Sequence, residues 1–455
     1  MSSERGIEEA FEAPAKALEE SVETVERAER AIISKRPFRI ASEYWNTLGP
    51  GLTTGAADDD PSGIATYSQA GASYGFGFLW LAPATFPLMA VVQEMCARIG
   101  LVSGEGLAAN IRRRYAPAAL YAVTTLLFAA NTFNIAADLS AMAAATRLLA
   151  PGISAIALVI AFALLSLLLQ IFTTYARYAR YLKYLTLALL SYVVVAFSVR
   201  LDWGAVLHHT FVPHLPATKD GLLLVAAILG TTISPYLFFW QTAQEIEEDI
   251  LRGEGTIRER RHEANPVAIW RMRLDVWSGM FFSNLVMFFI FAACAGTLYA
   301  GGATTIATAD QAARALAPFG ALAYWLFAAG IVGTGLLAVP VLAGSSAYAF
   351  AEAFRWRAGL YRPLKEAYAF YGVIIVAMAL GIVANLIGVD PIKGLILAAV
   401  ANGVVAPIVL YFVVRLASDK ALMGRYRNGR VSSALGWATV LAMTLAGLAA
   451  LGTLL

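Results

Sequence analysis

Eleven long apolar runs, separated by short polar stretches, account for most of the chain. An α-helix needs roughly 20 apolar residues to cross the hydrocarbon core of a membrane, and each run is about that long or longer. The connections carry turn residues, as in RYAP, FVPHLP, YAGG and GVDP. The pattern predicts an all-α polytopic membrane protein. The predicted spans are 45–72, 76–97, 117–147, 152–174, 182–200, 221–244, 274–299, 317–350, 367–388, 392–414 and 431–454.

The composition agrees with this prediction. Of the 455 residues, 59% are hydrophobic and 14% are charged, whereas soluble domains average roughly 45–50% apolar and about 25% charged residues. The net charge of +3 is too small to indicate a nucleic-acid partner, so the bilayer is the expected partner. Cys96 and Cys294 both lie in apolar runs, and we expect them to be buried, without a disulfide or a metal.

The basic residues predict which loops face the cytoplasm. If the N-terminus is cytoplasmic and the loops alternate, the cytoplasmic side receives nearly all of the 34 Lys and Arg residues. We therefore expect a protein of the cell membrane with its C-terminus outside. Residues 1–42 are predicted to form a charged cytoplasmic tail ahead of a transmembrane domain, 43–455. The basic residues expected on the outer side are Arg147, Arg200, Lys219, Arg314 and Lys393.

The first predicted span contains three consecutive carboxylates and a proline, in GAADDDPSGIATYSQAG (55–71). Proline removes a backbone donor, and it pushes the preceding residue out of the helical region. The span is therefore predicted to be two half-helices joined by an unwound turn. Irregular backbone and charge at this depth are tolerated only against protein or a water-filled cavity, which makes the segment a candidate site.

A second break is predicted five spans later, in GTTISPYLFFWQTAQE (230–245), where Ser234 precedes a proline. A Ser-Pro pair alone is equally typical of a simple helix kink. Interrupted helices at matching positions of two halves, however, indicate an inverted-repeat transporter whose site lies where the breaks meet. The halves are spans one to five (45–200) and six to ten (221–414), followed by an eleventh span (431–454).

The residues around both breaks resemble the Nramp family of divalent metal transporters. The segment GPGLTTGAADDDPSGIATYSQAGASYGFGFLW resembles the family's first span, whose motif is Asp-Pro-Gly-Asn, and GTTISPYLFFWQ lies where the family has Met-Pro-His. AADLSAMAAATRLL resembles its third span, and ANGVVAPIVLYFVVRLASDKALMGRYRNG its tenth span and following loop. The resemblance implies a LeuT-like fold of two inverted five-helix repeats plus an eleventh helix.

The resemblance also implies a set of metal ligands, from which this chain departs. Asp60 matches the family's aspartate, and Thr231 falls where a backbone carbonyl coordinates. Gly63 replaces the asparagine and Ser234 replaces the methionine, so the soft thioether ligand is lost. A roomier pocket lined by oxygen suits a partly hydrated Mg²⁺, because Mg²⁺ gives up its water reluctantly. The expected substrate is Mg²⁺, with Mn²⁺ also possible, as in the Nramp-related magnesium transporter branch.

Proton coupling is expected to be lost. Tyr236 replaces the family's histidine, and Ala141 stands where a glutamate follows the third-span aspartate, Asp138. The four histidines are all predicted to lie in loops. Import is therefore expected to be driven by the membrane potential; the alternative is a proton-coupled Mn²⁺/Fe²⁺ symporter of the conventional Nramp type.

Further polar residues are candidates for the pathway, each with a second interpretation. Asp59 is expected near the ion, whereas Asp58 can be a ligand, a neighbouring carboxylate or part of a vestibule. Asp138 is a gate or a buried carboxylate bonded to a hydroxyl. Gln241 and Asn402 line the pathway or join helices. The acidic run Glu245, Glu247, Glu248 and Asp249 is expected to be a solvated helix end at the cytoplasmic mouth.

Other function classes find less support in the sequence. A LeuT-fold amino-acid symporter would have a glycine-rich break rather than an acidic triplet, and a channel would need a filter such as TVGYG. An enzyme would need a nucleophile with its base, and Cys96 has none. We expect no cofactor and a functional monomer whose partners are the transported cation and the bilayer.

Overall fold

The computed structural model describes residues 36–199, 201–214, 218–302, 306, 312–313, 321–388 and 391–454. These residues fall into two compact units that divide between Leu48 and Gly49. The described part of the first unit is helix α1 (Arg36–Thr47) with Leu48. Most of the predicted N-terminal tail lies outside the described residues.

The second unit is almost entirely helical in its described part. Six of its helices begin at a proline, whose fixed φ and missing N–H suit the first helical turn. The helices are α2 (Pro50–Asp58), α3 (Pro61–Tyr74), α4 (Leu81–Ser103), α5 (Leu107–Arg114), α6 (Pro117–Leu149), α7 (Ala155–Phe172), α8 (Tyr175–Leu185), α9 (Leu190–Ser198), α10 (Trp203–Phe211), α11 (Lys219–Thr232), α12 (Pro235–Leu251), α13 (Ile257–Glu263), α14 (Pro266–Cys294), α15 (Ala321–Phe354), α16 (Tyr368–Leu386), α17 (Pro391–Ser418), α18 (Lys420–Met423) and α19 (Arg430–Leu454).

Ten helical stretches within the described residues are long and apolar enough to cross a membrane, and they correspond to predicted spans two to eleven. The first predicted span, which consists of α2 with 9 residues and α3 with 14, is absent from this set because it contains three adjacent carboxylates. The sixth span, Lys219–Leu251, belongs to the set although it is also divided, between α11 and α12. With the broken first span the described chain contains a counterpart for each of the eleven predicted spans.

The bounds of the first two spans differ from the prediction. The first starts at Pro50 rather than at 45, because α1 ends just before it. The second runs over Leu81–Ser103 rather than 76–97. It continues past Arg98 because that side chain is buried and paired with Glu94 one turn earlier. It ends at Gly104, whose φ of +64° provides a left-handed helix cap.

Helix α2 is held against α14 by close backbone packing. A Cβ at Gly279 would collide with the carbonyl oxygen of Gly51, and one at Gly55 would collide with the backbone of Gly279. Asp275 of α14 also accepts hydrogen bonds from the backbone N–H groups at the start of α2, at 2.8 Å from Gly49 and 2.7 Å from Gly51. The carboxylate satisfies donors that the helix leaves free and complements its dipole, so α14 fixes the position of the first half-helix.

The connections between spans meet in two sets, as alternation requires. The connection after span two contacts the connection after span six, where Arg260 donates to the carbonyl of Gly104 at 3.0 Å. It also contacts the connection after span ten, where Asp419 pairs with Arg114. On the other side, the connection between spans one and two contacts the one between spans five and six, since the indole of Trp80 donates to the carbonyl of His214. Because the two sets flank α4, the loops alternate between its ends.

Candidate functional site

The first predicted helix break is present, between α2 and α3. Asp59 ends α2 with φ −85° and ψ 51°, and Asp60 is extended with φ −68° and ψ 166°. The extended conformation is the one that a following proline imposes, here Pro61. The Asp-Pro sequence is therefore compatible with a helix that stops and restarts here, with Asp60 as the N-cap and Pro61 as the first residue of α3.

Asp60 caps the second half-helix. Its Oδ1 accepts a hydrogen bond from the backbone N–H of Gly63 at 2.6 Å and another from the hydroxyl of Ser62 at 2.6 Å. The residue is buried, with only 2% of its surface exposed. These bonds fix the orientation of a carboxylate at a helix N-terminus, where the dipole favours negative charge.

The other two carboxylates of the triplet are equally buried but less well bonded. The hydroxyl of Ser283, on α14, donates to Oδ2 of Asp58 at 3.1 Å. Oδ1 of Asp58 and both oxygens of Asp59 have no hydrogen-bond partner among the described residues. A buried carboxylate without hydrogen bonds destabilises the fold unless a cation or a proton neutralises its charge.

The second break repeats the geometry of the first. Ile233 ends α11 with φ −117° and ψ 62°, and Ser234 is extended with φ −85° and ψ 130°, directly before Pro235. Each break therefore consists of one residue that leaves the helix and one extended residue ahead of a proline. A mere kink, the other interpretation of Ser-Pro, is excluded because the helical segment is interrupted.

The hydroxyl of Ser234 is turned toward the end of α11. It donates to the carbonyl of Gly230 at 2.9 Å and to that of Thr231 at 2.8 Å. The serine oxygen retains acceptor lone pairs, and the Thr231 carbonyl retains a second lone pair. Both groups can therefore still offer oxygen to a cation.

Two hydrogen bonds join the breaks. The hydroxyl of Tyr236, at the start of α12, donates to the carbonyl of Ala57, near the end of α2, at 2.8 Å. The hydroxyls of Tyr67 on α3 and Thr232 on α11 lie 3.3 Å apart. The four half-helices consequently meet around the carboxylates, as the inverted-repeat prediction requires. Tyr236 helps to shape the site through this bond.

Asp138 lies beside the first break. It is fully buried on α6, close to the backbone of Ser62 and near enough to Asp60 for the two charges to interact. Its carboxylate has no hydroxyl partner among the described residues, so the alternative of a hydroxyl-bonded structural acid is not what the structure shows.

The two predicted pathway amides are both buried. The Nε2 of Gln241 donates to Glu245, one turn later on the same helix, at 2.8 Å, so this bond does not join helices. Asn402 lies on α17, and its Oδ1 has no hydrogen-bond partner among the described residues.

The prediction that the acidic run from Glu245 to Asp249 forms a solvated helix end is wrong. Glu247 is 1% exposed and accepts hydrogen bonds from the hydroxyl of Tyr348 and from the backbone N–H groups of Leu360 and Tyr361. Asp249 is likewise buried. The run faces protein because the segment after α15 folds over this end of α12.

Several residues that support the site were missed in the sequence. Asp275 could have been found, because a carboxylate inside a predicted span is a functional signal by itself. Ser62 follows the break proline directly, where a hydroxyl commonly bonds a cap. Ser283 and Tyr67 gave no such signal, since a serine or a tyrosine in a span is common.

A comparison with known families settles the relationship of the chain. A family model described as Nramp, Natural resistance-associated macrophage protein-like, matches residues 51–453. The chain belongs to the Nramp family. The match begins in α2 and ends in the last helix, so it includes both breaks.

Individual relatives of this Nramp chain are distant. A divalent metal cation transporter MntH of Aeromonas hydrophila is 26% identical over 427 residues, which cover 89% of this chain and 93% of that protein. A protein of the same name from Ralstonia nicotianae is 27% identical over 417 residues, covering 88% and 89%.

Solved structures confirm the predicted fold class. A manganese transporter of Eremococcus coleocola superposes with a TM-score of 0.68 at 18% identity, covering 90% of this chain and 86% of that one. Mhp1, a nucleobase-cation-symport-1 family transporter, gives 0.55 at 16% identity, covering 89% and 91%. The Nramp chain thus has the LeuT-like fold expected from its broken helices.

The departures from the Nramp motif fall inside the site. A Cβ at Gly63 would lie 3.3 Å from the carbonyl oxygen of Asp58 and 3.4 Å from Oδ1 of Asp60. The asparagine expected from the family would therefore be crowded against the break, with its side chain beside Asp60. The nearest thioether contact described at the second break is from Met287, whose Sδ lies 3.8 Å from the hydroxyl of Thr232.

Proposed function

We propose that the chain is a transporter of divalent metal cations that imports Mg²⁺ into the cell. The relatives named as divalent metal cation transporters and the manganese transporter of the same fold support the class of substrate. One observation carries the assignment of the site: three buried carboxylates lie at a helix break that adjoins a second break.

The proposed ligands are oxygen atoms. Asp60 supplies an oriented negative charge, and Ser234 and the carbonyl of Thr231 supply neutral donors. Asp59, whose oxygens have no partner within the described chain, supplies a second charge from close by. Gly63 leaves room for water that Mg²⁺ keeps in its shell. Asp58 is held by Ser283 and acts at the edge of the site.

The broken helices provide the proposed route for alternating access. Backbone at a break forms no continuous helix, so each half-helix can rock with its own neighbours while the breaks stay around the ion. The bonds from Tyr236 to Ala57 and between Tyr67 and Thr232 couple the two breaks during this motion.

The proposed driving force is the membrane potential. Each positive charge that moves inward across a potential of about 100 mV releases ~2.3 kcal/mol, so a divalent cation releases ~4.6 kcal/mol. This free energy supports roughly a thousandfold accumulation of the cation inside the cell. Tyr236 is a poor proton carrier near neutral pH, because a tyrosine ordinarily titrates near pH 10. His208 and His209 lie in α10 and His262 in α13, short helices rather than the expected loops, and neither helix is a candidate span.

A proton-coupled Mn²⁺ transporter is the second candidate. The position of Met287 favours it, because a thioether beside the second break is a soft donor of the kind that selects transition metals. Asp138, buried near Asp60, is the residue that a proton pathway would use.

The variant Met287→Leu separates the two proposals. If oxygen ligands alone bind the ion, uptake of Mg²⁺ and of Mn²⁺ into proteoliposomes keeps the same ratio as in the wild type, since leucine preserves the packing volume. A fall of about tenfold or more in Mn²⁺ uptake relative to Mg²⁺ would favour the second candidate. Asp60→Asn serves as the negative control, because we expect this variant to transport neither Mg²⁺ nor Mn²⁺.

A further inference from the structure

An arginine-lined cavity lies away from the helix breaks, between the end of α4, α5, α13 and α18. Its volume is about 470 Å³. It is located where the membrane-spanning helices α4 and α17 end and just before α14 begins, which is the depth of the lipid head groups. The lining residues are Val102, Asn110, Arg113, Arg114, Arg261, Ala421 and Leu422.

The three guanidinium groups of this cavity are only partly neutralised. Arg113 and Arg261 share one carboxylate, that of Glu105, and Arg114 pairs with Asp419. The side chains of Arg113 and Arg261 remain 49% and 46% exposed despite this pairing. The cavity therefore has an excess of positive charge and unused N–H donors.

The frame of the cavity is rigid. Nδ2 of Asn110 donates to the hydroxyl of Ser103 and to the carbonyls of Glu105 and Gly106, each at 2.9 Å. Nε of Arg261 donates to the carbonyl of Ser103 at 2.7 Å, and its Nη2 donates to Oε2 of Glu105 at 3.3 Å. Bonds to the backbone therefore fix the positions of Asn110 and Arg261 in the cavity wall.

We propose that this cavity binds a phosphate group, from an anionic lipid or from free phosphate. Arginine forks match phosphate oxygens in pairs, and basic pockets between membrane helices bind anionic head groups. The apolar side chains of Val102 and Leu422 line the same cavity and suit the first methylene groups of a lipid's acyl chain. The inference does not depend on which cation the protein transports.

Native mass spectrometry of the detergent-purified full chain tests this proposal, with dioleoylphosphatidylglycerol, dioleoylphosphatidylcholine and inorganic phosphate as separate probes. We expect phosphatidylglycerol to be retained over phosphatidylcholine. Arg113→Gln is expected to weaken retention about fivefold, and Arg258→Gln, on α13 but outside the cavity lining, to leave it unchanged. Glu105→Gln is expected to strengthen retention, because it removes the competing carboxylate.

The results show whether the site exists and whether its phosphate comes from a lipid or from free phosphate. Arginine-dependent binding of the lipid, or of inorganic phosphate alone, supports the site and identifies where the phosphate comes from. Equal retention by the wild type, Arg113→Gln and Arg258→Gln overturns it. So does weaker retention by Glu105→Gln, since a purely structural role would make both Glu105 and Arg113 variants lose lipid.

Discussion

At the scale of single residues, Asp60 combines a structural and a functional role. It caps α3 through Gly63 and Ser62, and its carboxylate faces a site with two further acids. The two roles need different chemistry. A cap needs an oxygen acceptor, whereas cation binding needs negative charge.

Asp60→Asn separates these roles. Asparagine caps helices about as well as aspartate, so the free energy of unfolding is expected to fall by less than about 1 kcal/mol. Cation uptake is expected to fall at least about thirtyfold, since losing one partner of a buried charge pair costs about 2–5 kcal/mol. Proteoliposome uptake and thermal unfolding of the same preparation measure both. Normal uptake by a folded Asp60→Asn protein would refute the site.

The double variant Gly63→Asn with Ser234→Met tests the proposed selectivity. The asparagine amide would lie beside Asp60, and the thioether would lie at the second break. We expect uptake of Mn²⁺ relative to Mg²⁺ to rise about tenfold or more. Competition between the two ions in proteoliposomes measures the ratio, with each single variant as control. An unchanged ratio would show that these two positions do not decide selectivity.

The sequence predicts some of these residues better than others. Asp60 is predictable because the carboxylate, the proline and the helix break are adjacent in the chain. The bonds from Asp275 to the start of α2 are not, because they join residues more than 220 positions apart. The prediction that Glu247 is solvated is wrong for the same reason. A segment far away in the sequence, which includes Leu360, covers this end of the helix.

At the scale of helices, both breaks follow from local chemistry. Asp-Pro and Ser-Pro each favour an extended residue, and the structure shows that conformation at Asp60 and Ser234. The proline alone does not decide the break, since Pro87, Pro340 and Pro407 lie inside uninterrupted helices. The ends of uninterrupted helices are less predictable. Arg98 marks the edge of an apolar run but lies inside α4, because Glu94 and Asn428 give it partners in a buried environment.

The contact between α2 and α14 gives a prediction at this scale. Gly279→Ala is expected to destabilise the protein by about 1–3 kcal/mol or more, because a Cβ there has no space beside the backbone of Gly51. Gly372→Ala on α16 is the matched control. Its Cβ meets open space, so this variant is expected to be neutral or more stable by up to about 1 kcal/mol. Thermal unfolding in detergent compares them, and equal unfolding temperatures would contradict the packing account.

At the scale of the whole molecule, the apolar pattern predicts the fold class. Ten candidate spans, one of them broken at Ser234, and the broken first span follow the predicted order among the described residues. The structures of the manganese transporter and Mhp1 share the fold. The transported ion is less predictable. It depends on which oxygen and sulfur atoms from α2, α3, α11 and α14 surround the breaks, and Met287 entered this set only through the fold.

The uptake of Mg²⁺ into proteoliposomes under an imposed potential, with a pH dye in the lumen, tests the central claim most directly. We expect Mg²⁺ to enter in proportion to the potential, without acidification of the lumen and with little dependence on external pH, and Asp60→Asn to abolish this entry. Exclusion of Mg²⁺, together with Mn²⁺ entry that acidifies the lumen, would contradict the account.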